Sequence, residues 1–448
     1  MYLRTLKVRN CKLLRELELA FDREDGSGPR MWTVFVGENG LCKTSLLRCI
    51  AMAAMGPEIS TGLADVAALP DKRHPGEELE IAAAFSFSDE YRALREYPPL
   101  GVERDAPAFV GSELRLGAGH SIFRGASWYG EGPELAEAPK PGNGANGALY
   151  PLSHARSLGL RHWFVAGYGV GRVLQSPSPG VMSPDRAADR VRSLFSFEQV
   201  ILGTRFADLF PEEQSLRFAR TLRDVFVDHD LLPGVQNVEL RGKGGVRTSA
   251  HLIESHRFDM MAGRQTLRLP ATWLSQGFQS VISLIADVVG HIWLEAEAEV
   301  PPAEMEGLIL IDEIDLHLHP KWQASLIRSL KAAFPRLQFI ATTHSPMVLP
   351  GLEADEVFVL RQDKTTGDVY VDSTGESPRL MTGSELYGTF FDLEARFAED
   401  VGRRLARYAY LASDPRRTEA EDVEVHRLRD ELQREKVSVD AEPVPREA

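Results

Sequence analysis

A glycine-rich segment, Gly37-Glu-Asn-Gly-Leu-Cys-Lys-Thr44, follows an apolar run at Trp32 to Val36 and precedes a helical pattern. In such a strand-to-helix loop, backbone N–H groups and the helix N-terminus surround phosphate oxygens. Lys43 would reach the β- and γ-phosphates, and the Thr44 hydroxyl would coordinate Mg²⁺. The residues that we expect to contact phosphate are Gly37, Asn39, Gly40, Cys42, Lys43, Thr44 and Ser45.

Cys42 stands where the usual phosphate-loop pattern has its last glycine. A side chain at this point requires unusual backbone dihedrals and lies where the backbone must approach phosphate closely. We therefore expect weakened binding or slowed hydrolysis. A thiol beside Lys43 at a helix N-terminus also ionises more easily, so a redox role is an alternative to a tolerated small residue.

A second group of reactive side chains ends an apolar strand. Ile309, Leu310 and Ile311 are followed directly by Asp312 and Glu313. A buried run does not tolerate paired negative charge without compensation, and Mg²⁺ supplies it. Asp312 would hold the metal, directly or through water, while Glu313 would orient and deprotonate the attacking water in phosphoryl transfer. A solvent-exposed strand end is the alternative.

Two further motifs lie at element ends. Leu274-Ser-Gln-Gly277 precedes an apolar helical pattern, so Ser275 is a candidate N-cap whose neighbours present free N–H groups to an anion. His344 ends the strand Phe339 to Thr343 and is followed by Ser345 and Pro346. Alone, each fits an ordinary cap or an ordinary histidine. In the order loop, cap, acidic strand and histidine, they indicate one site.

These motifs resemble the compact ABC-type ATPases related to RecF and to SMC heads, often described as AAA-family ATP-binding proteins. The resemblance covers most of the chain and rests on GENGLCKTSLLRCIA, LSQGFQS, LILIDEIDLHLHP and TTHSP. It implies ATP and Mg²⁺ as ligands, with Glu313 and His344 as catalytic residues. It also implies that Ser275, Gln276 and Gly277 bind the γ-phosphate of ATP held by another subunit, so that the protein works as a homodimer or a higher oligomer.

The same resemblance suggests further contacts. Asn10 and Lys12 would touch the nucleotide, and Asp315 would lie in a loop that crosses the dimer interface. The glutamine of the usual Q-loop has no clear match: Gln175 is one candidate, and Tyr168 with Arg172 is another. His317 and His319 alternate and could chelate a metal, but the family carries a similar HLHP stretch in the interface loop.

Many relatives of this kind belong to antiphage defence systems, including Septu-type and retron-associated ATPases that partner a separate nuclease. The chain shows no nuclease signature of its own, so the resemblance implies another polypeptide as effector, with DNA as a possible second ligand. Two alternatives remain open: a scaffold that binds ATP with little turnover, and a transporter nucleotide-binding domain. The long inserts between 60 and 260 count against the transporter.

The pattern along the chain predicts an α/β fold: an ABC-type ATPase head with a mixed β-sheet lobe, a parallel α/β core, a helical signature lobe and C-terminal helices. We expect four parts: 1–190 with the phosphate loop and an insert, 191–300 as the helical lobe, 301–378 with the acidic strand and histidine, and a tail at 379–448 whose last ten or so residues are disordered. A Pro/Gly-rich stretch from Ala126 to Tyr150 reads as a loop.

Composition limits the classes of protein to which this chain could belong. A net charge of −14 argues against a surface that grips nucleic acid throughout, although a local basic groove is compatible with it. No apolar run approaches the roughly 20 residues of a membrane span, and Met1 to Asn10 lacks a signal peptide's apolar stretch. Three cysteines without metal or disulfide spacing fit a reducing compartment, so the expected location is the cytoplasm.

Overall fold

The computed structural model describes residues 1–88, 108–130, 132–135, 151–152, 163–172, 186–196, 203, 206–239, 256–393, 399–435, 437 and 442–445. The chain divides into two compact units, Met1–Met381 and Thr382–Ala448. The expected loop from Ala126 to Tyr150 reaches beyond the described residues, and SPSPGVMSPD at 176–185, whose proline- and glycine-rich sequence also predicts a loop, lies outside them.

The strands are numbered along the described chain. They are β1 (Tyr2–Cys11), β2 (Leu14–Ala20), β3 (Trp32–Val36), β4 (Leu79–Ser86), β5 (Phe109–Leu116), β6 (Arg124–Gly130), β7 (Val165–Tyr168), β8 (Val235–Glu239), β9 (Arg257–Ala262), β10 (Gln265–Pro270), β11 (Gly307–Ile311), β12 (Leu337–Thr342), β13 (Val357–Gln362) and β14 (Val369–Asp372). The mixed α/β class expected from the sequence is confirmed.

The helices are numbered in the same way. They are α1 (Lys43–Met55), α2 (Pro57–Leu63), α3 (Arg186–Arg192), α4 (Phe206–Leu209), α5 (Glu212–Arg223), α6 (Gln276–Ala296), α7 (Pro320–Ala333), α8 (Gly383–Phe391), α9 (Glu399–Ser413) and α10 (Glu419–Arg434).

A six-stranded sheet with the order β14-β13-β3-β12-β11-β7 forms the centre of the first unit. Its neighbours pair in parallel except β13 and β14. Strands β3, β11 and β12 are buried at every residue, which explains why they read as continuous apolar runs rather than alternating ones. Because parallel strands share an edge for their carboxyl ends, the segments after β3, β7, β11 and β12 meet at one edge.

A second, antiparallel sheet has the order β2-β1-β4-β5-β6. Helix α1 packs against strands of both sheets, and one apolar cluster includes residues from both sheets and from this helix. Its residues are buried apart from Thr44 and Arg48, which suits the apolar sequence that follows Ser45. The helix that begins at the phosphate loop is therefore the central element of the core.

Gln338 on β12 joins the two sheets. Its side-chain oxygen accepts from the Leu3 N–H at 2.7 Å, and its Nε2 donates to the carbonyls of Leu3 at 3.0 Å and Arg30 at 2.9 Å. The side chain is fully buried. Three main-chain groups that would otherwise lack partners away from water are satisfied by this single amide.

The third sheet, β10-β9-β8, and helix α6 belong to the part of the chain expected to form the helical lobe. Among the described residues, only α6 has the length and apolar composition of a membrane-crossing helix. However, 83% of its most apolar window is buried within the structure. That burial is the pattern of a core helix, and the helix begins directly after Ser275.

The Ala126 to Tyr150 loop prediction is wrong at its start, because β6 extends to Gly130 and pairs with β5. Gly111 of β5 lies under the Trp128 ring, where a Cβ would come within 2.2 Å of ring carbons. This aromatic-over-glycine packing stabilises a strand that its serine- and glycine-rich sequence conceals. The remainder of the stretch is described only at 132–135.

In the second unit, α9 and α10 pack through a small apolar cluster that includes Tyr408, Val425 and Leu428. In the sequence, apolar residues at helical spacing predict a packing stripe that consists of Leu393, Phe397, Val401, Leu405 and Tyr408. The stripe holds for Val401, Leu405 and Tyr408, whereas Leu393 is 52% exposed and Phe397 lies outside the described residues. Near the C-terminus the main chain of Val444 bonds Ala412 and Arg417, and the expected terminal disorder stays a prediction.

We expect Gln338→Leu to lower the free energy of unfolding by about 3 kcal/mol or more, because each buried N–H or C=O left without a partner costs about 1–3 kcal/mol. Urea unfolding measures the change. Gln362→Leu is the matched control, since that amide is exposed and bonds only Gly367. Equal urea midpoints for the two variants would contradict the role assigned to Gln338.

Candidate functional site

The loop between β3 and α1 has positive φ angles at three positions. Gly37, Gly40 and Cys42 have φ angles of 148°, 85° and 63°. A Cβ at Gly37 would come within 2.7 Å of the Leu360 carbonyl oxygen, so this position requires glycine. The unusual dihedrals expected at Cys42 are confirmed, and the left-handed conformation of an L-residue costs about 1–2 kcal/mol. Glu38 and Asn39 are exposed beside it.

The Lys43 side chain turns back onto this loop. Its ammonium donates to the carbonyls of Gly37 and Glu38, both at 2.7 Å, and the residue is 6% exposed. Burial lowers the pKa of Lys43 to about 8, opposed by the nearby charges of Asp312 and Glu313. The loop therefore encloses a cation bonded only to neutral oxygens.

Asp312 is held between two hydroxyl groups. Thr44 of α1 donates to its Oδ2 and Thr342 of β12 donates to its Oδ1, each at 2.7 Å. Carboxylate and hydroxyl oxygens are the ligand type that Mg²⁺ prefers, and neighbouring oxygens in an octahedral Mg²⁺ shell lie about 2.9 Å apart. The Thr44 and Asp312 oxygens nearly match that spacing, so the pair fits the expected metal.

Glu313 is held through its main chain. Its φ is 49°, its N–H donates to the Thr342 hydroxyl at 2.8 Å, and its carbonyl accepts from Arg172 at 2.7 Å. Thr342 thus donates to one acidic residue and accepts from the next. Our sequence analysis did not single out this threonine, and its position at the end of a buried strand beside His344 was the available signal.

Arg172 follows β7 and is 2% exposed. Its guanidinium donates to the carbonyls of Gly169, Asp312 and Glu313. The alternative that placed Tyr168 and Arg172 near the site is therefore supported by geometry for Arg172, while Gln175 lies outside the described residues. Tyr168 instead donates to Asp287 of α6 at 3.0 Å.

The histidine loop is tied to the segment after β11. His344 is exposed, and partial desolvation together with the charge of Lys43 lowers its pKa, so the ring is neutral at pH 7. Thr343 donates to Asp315, and Ser345 donates to Gln323 of α7 at 2.7 Å. Residues on both sides of His344 therefore anchor it to the loop that the sequence assigned to a dimer interface.

The segment before α6 is placed against that same loop. Ser275 is the N-cap but its hydroxyl makes no capping bond, and both Ser275 and Gln276 are exposed. Gly277 is buried, and a Cβ there would come within 2.5 Å of the His317 carbonyl oxygen. Within the described residues no hydrogen bond joins Ser275 to the phosphate loop.

His317 and His319 have different roles from metal chelation. His317 is exposed with φ 63°, and His319 caps α7 by accepting from the Lys321 N–H. In the part of the chain that the structure describes, no group of three or more His, Cys, Asp or Glu residues could hold a metal. The interface-loop interpretation of HLHP stays a prediction.

Asn10 lies near the end of β1 and Lys12 lies in the turn that follows, both with positive φ. Lys12 donates to the Ser45 hydroxyl at 2.8 Å, beside the phosphate loop. The Asn10 amide donates to Glu77 and to the Glu78 carbonyl, and its oxygen accepts from Arg15. These contacts hold the Asn10 side chain at the end of β1, and its expected contact with nucleotide stays a prediction.

The redox alternative for Cys42 is not supported by its surroundings. Burial raises the pKa of the Cys42 thiol rather than lowering it, and the charge of Lys12 only partly opposes this. Cys11 and Cys49 lie nearby, with their sulfur atoms 3.7 Å apart and fully buried. A protonated, buried thiol is a poor nucleophile.

Comparison with known proteins finds one matching family model and several similar proteins. Residues 185–349 match the family model described as "AAA domain, putative AbiEii toxin, Type IV TA system". Septu protein PtuA of Bacillus mycoides (strain KBAB4) is 25% identical over 437 residues, which cover 96% of this chain and 50% of that protein. The chain therefore contains a match to an AAA domain and is similar in sequence to Septu PtuA.

The chain also resembles the Retron Ec83 probable ATPase of Escherichia coli, with 34% identity over 133 residues that cover 30% of this chain and 22% of that protein. The chain thus spans about half or less of these curated relatives. Among solved structures, an Smc head domain bound to the C-terminal domain of ScpA, from Pyrococcus furiosus, aligns over 83% of this chain and 96% of that one, with 15% identity and a TM-score of 0.46.

We expect Thr342→Val to reduce ATP turnover about tenfold to a hundredfold, because it removes the hydroxyl that positions both Asp312 and the Glu313 main chain, and misplacement by about 1 Å can cost a hundredfold. Steady-state phosphate release measures the effect. Thr342→Ser keeps the hydroxyl and should stay within a few-fold of wild type. Equal rates for the valine and serine variants would contradict this assignment.

We expect the affinity for a non-hydrolysable ATP analogue to fall as pH rises through about 8. Lys43 is charged below its lowered pKa of about 8 and neutral above it, and an anion favours the charged form, so the association constant loses up to about tenfold per pH unit. Fluorescence titration from pH 7 to 9.5 tests this. Lys43→Met should bind weakly at every pH, and a constant wild-type affinity would refute the role of this ammonium.

Proposed function

We propose that this chain binds and hydrolyses ATP at the edge of its parallel sheet, with Lys43, Thr44, Asp312 and Glu313 as the central residues. The observation that supports this most directly is the shared environment of the two acidic residues. Thr44 of the phosphate loop and Thr342 both donate to Asp312, and Thr342 also fixes Glu313. Homology to an AAA-family ATPase domain supports the same conclusion.

In this proposal Lys43 leaves the carbonyls of Gly37 and Glu38 and donates to phosphate oxygens instead. Thr44 and Asp312 would hold Mg²⁺, which neutralises developing charge when bound. Glu313 accepts the proton of the attacking water, and His344, neutral at pH 7, donates to the γ-phosphate. Lys12, beside Ser45, adds positive charge near the loop. Each step needs positioning rather than covalent chemistry, as phosphoryl transfer does.

The second anion site supports a dimer. The exposed main chain at Ser275 and Gln276 carries the unpaired N–H groups of a helix start, which favour an anion. We propose that it binds the γ-phosphate of ATP held by a second copy, because Ser275, Gln276 and Gly277 match the motif with this role in the ABC-type ATPases that the sequence resembles. ATP between the two copies then favours the closed state, and hydrolysis releases it.

We further propose a role in antiphage defence, because the relatives include a Septu protein and a retron ATPase. In that role, closure controls a separate effector such as a nuclease, with DNA as a possible trigger. The location consistent with this role is the cytoplasm. The apolar helix α6 does not argue for a membrane, because most of it is buried in the fold.

The test is ATP turnover by wild type and Glu313→Gln, each followed by mass in solution with and without ATP and Mg²⁺. We expect the variant to lose at least about a hundredfold in turnover, the upper part of the range for a lost general base, and to accumulate as a larger assembly. Glu304→Gln is the matched control, because Glu304 is an exposed carboxylate in a short helix before β11.

Two results would overturn parts of the proposal. If Glu313→Gln turns over ATP like wild type, Glu313 is not the base. If wild type binds ATP and changes mass but releases no phosphate, the chain is an ATP-dependent scaffold, the alternative that the strained Cys42 position favours.

A further inference from the structure

The Arg172 guanidinium connects three segments of the first unit. It donates to the Gly169 carbonyl in its own loop at 3.1 Å, to the carbonyls of Asp312 and Glu313, and to the Ser280 hydroxyl on α6 at 3.4 Å. Ser280 lies in the second turn of the helix that begins after Ser275. One buried side chain therefore contacts both the acidic segment and the helix of the second anion site.

The two acidic-segment contacts constrain backbone shape. In an extended strand, successive carbonyls point in opposite directions, so one planar guanidinium cannot capture two in a row. Glu313 departs from the extended form with φ 49°, which a residue with a Cβ adopts at a cost of about 1–3 kcal/mol. The contacts from Arg172 and from Thr342 lie on the two peptide groups that flank Glu313 and hold it in this conformation.

The burial of Arg172 is not explained by an ion pair. Among the described residues no carboxylate oxygen lies within 4.0 Å of its nitrogen atoms, and its acceptors are three carbonyls and one hydroxyl. Burying a guanidinium costs free energy unless its donors are satisfied. A residue that serves packing alone does not need a buried guanidinium. A residue that donates hydrogen bonds to two consecutive carbonyls does.

We propose that Arg172 is a positioning residue that couples the start of helix α6 to the conformation of Glu313. Docking of an anion at Ser275 shifts the first turns of α6, Ser280 carries that shift to the guanidinium, and the guanidinium sets the Glu313 main chain. Without Arg172, the strained residue relaxes toward negative φ and its carboxylate turns away from the reacting water. This inference rests on the proposed ATPase function.

The experiment compares Arg172→Gln, Arg172→Lys and Ser280→Ala with wild type. We measure the single-turnover rate at saturating ATP, affinity for a non-hydrolysable analogue, and ATP-dependent assembly. Arg172→Gln should slow turnover at least about a hundredfold while affinity stays within about threefold. Arg172→Lys keeps the charge but not the fork, so it should recover only part of the rate, and Ser280→Ala should slow turnover several-fold.

Arg190→Gln is the matched control. Arg190 is also buried and donates to a carbonyl of β7, at Val165, but it pairs with Glu295 and does not contact the acidic segment. We expect this variant to be less stable to heat yet to keep the wild-type rate per folded molecule. If Arg172→Gln does not fold, Arg172→Lys and Ser280→Ala still test the proposal.

Three results would overturn it: wild-type rates in both Arg172 variants, a loss of affinity as large as the loss of rate, or a Ser280→Ala rate equal to wild type. The first removes the positioning role, the second makes Arg172 a general structural or binding residue, and the third removes the link to α6. If wild type itself neither hydrolyses ATP nor changes mass with it, the proposed function has failed instead.

Discussion

The hydrogen bonds that Asp312 accepts from Thr44 and Thr342 join the three elements on which the candidate site depends. Thr44 lies in the first turn of the central helix α1, Asp312 directly follows β11, and Thr342 ends β12. A buried carboxylate without such hydrogen-bond donors would cost free energy of folding. The ends of the three elements must therefore lie where the two hydroxyl groups reach the carboxylate oxygens. The alignment of the parallel strands and the start of α1 follow from the same requirement, because a shift of one residue would remove one of the donors.

Backbone strain marks the same places. Of the described residues, eight that are not glycine have positive φ, and five of them, Asn10, Lys12, Cys42, Glu313 and His317, lie on segments that the sequence had already associated with the site. Such conformations persist only where surrounding contacts fix them. At Glu313 and Asn10 those contacts can be named. The site is therefore held in a shape that its backbone would not choose alone.

Sequence reasoning found the elements with the strongest local signals. The apolar strands β3, β11 and β12, the helix after Lys43 and the acidic pair all followed from periodicity and motif spacing. It did not find Thr342, and it placed Arg172 only as an alternative, because both act through main-chain groups distant in sequence: Arg172 and Glu313 are 141 residues apart. Sequence reasoning also missed β6, because the packing of Trp128 over Gly111 that stabilises this strand is a tertiary effect. It did not predict the raised pKa of Cys42, because burial outweighs the nearby positive charge.

Helix α6 is also fixed to the sheet by polar contacts in its interior. Asp287 accepts from the Tyr168 hydroxyl of β7 and from the Gly203 N–H, both at 3.0 Å. A buried carboxylate bound in this way resists sliding, because any displacement would leave it unsatisfied. Movement of the first turns of α6 relative to β7 is then confined to the residues before Asp287. That confined region includes Ser275, Gly277 and Ser280, the residues that face the second anion site, the His317 loop and Arg172.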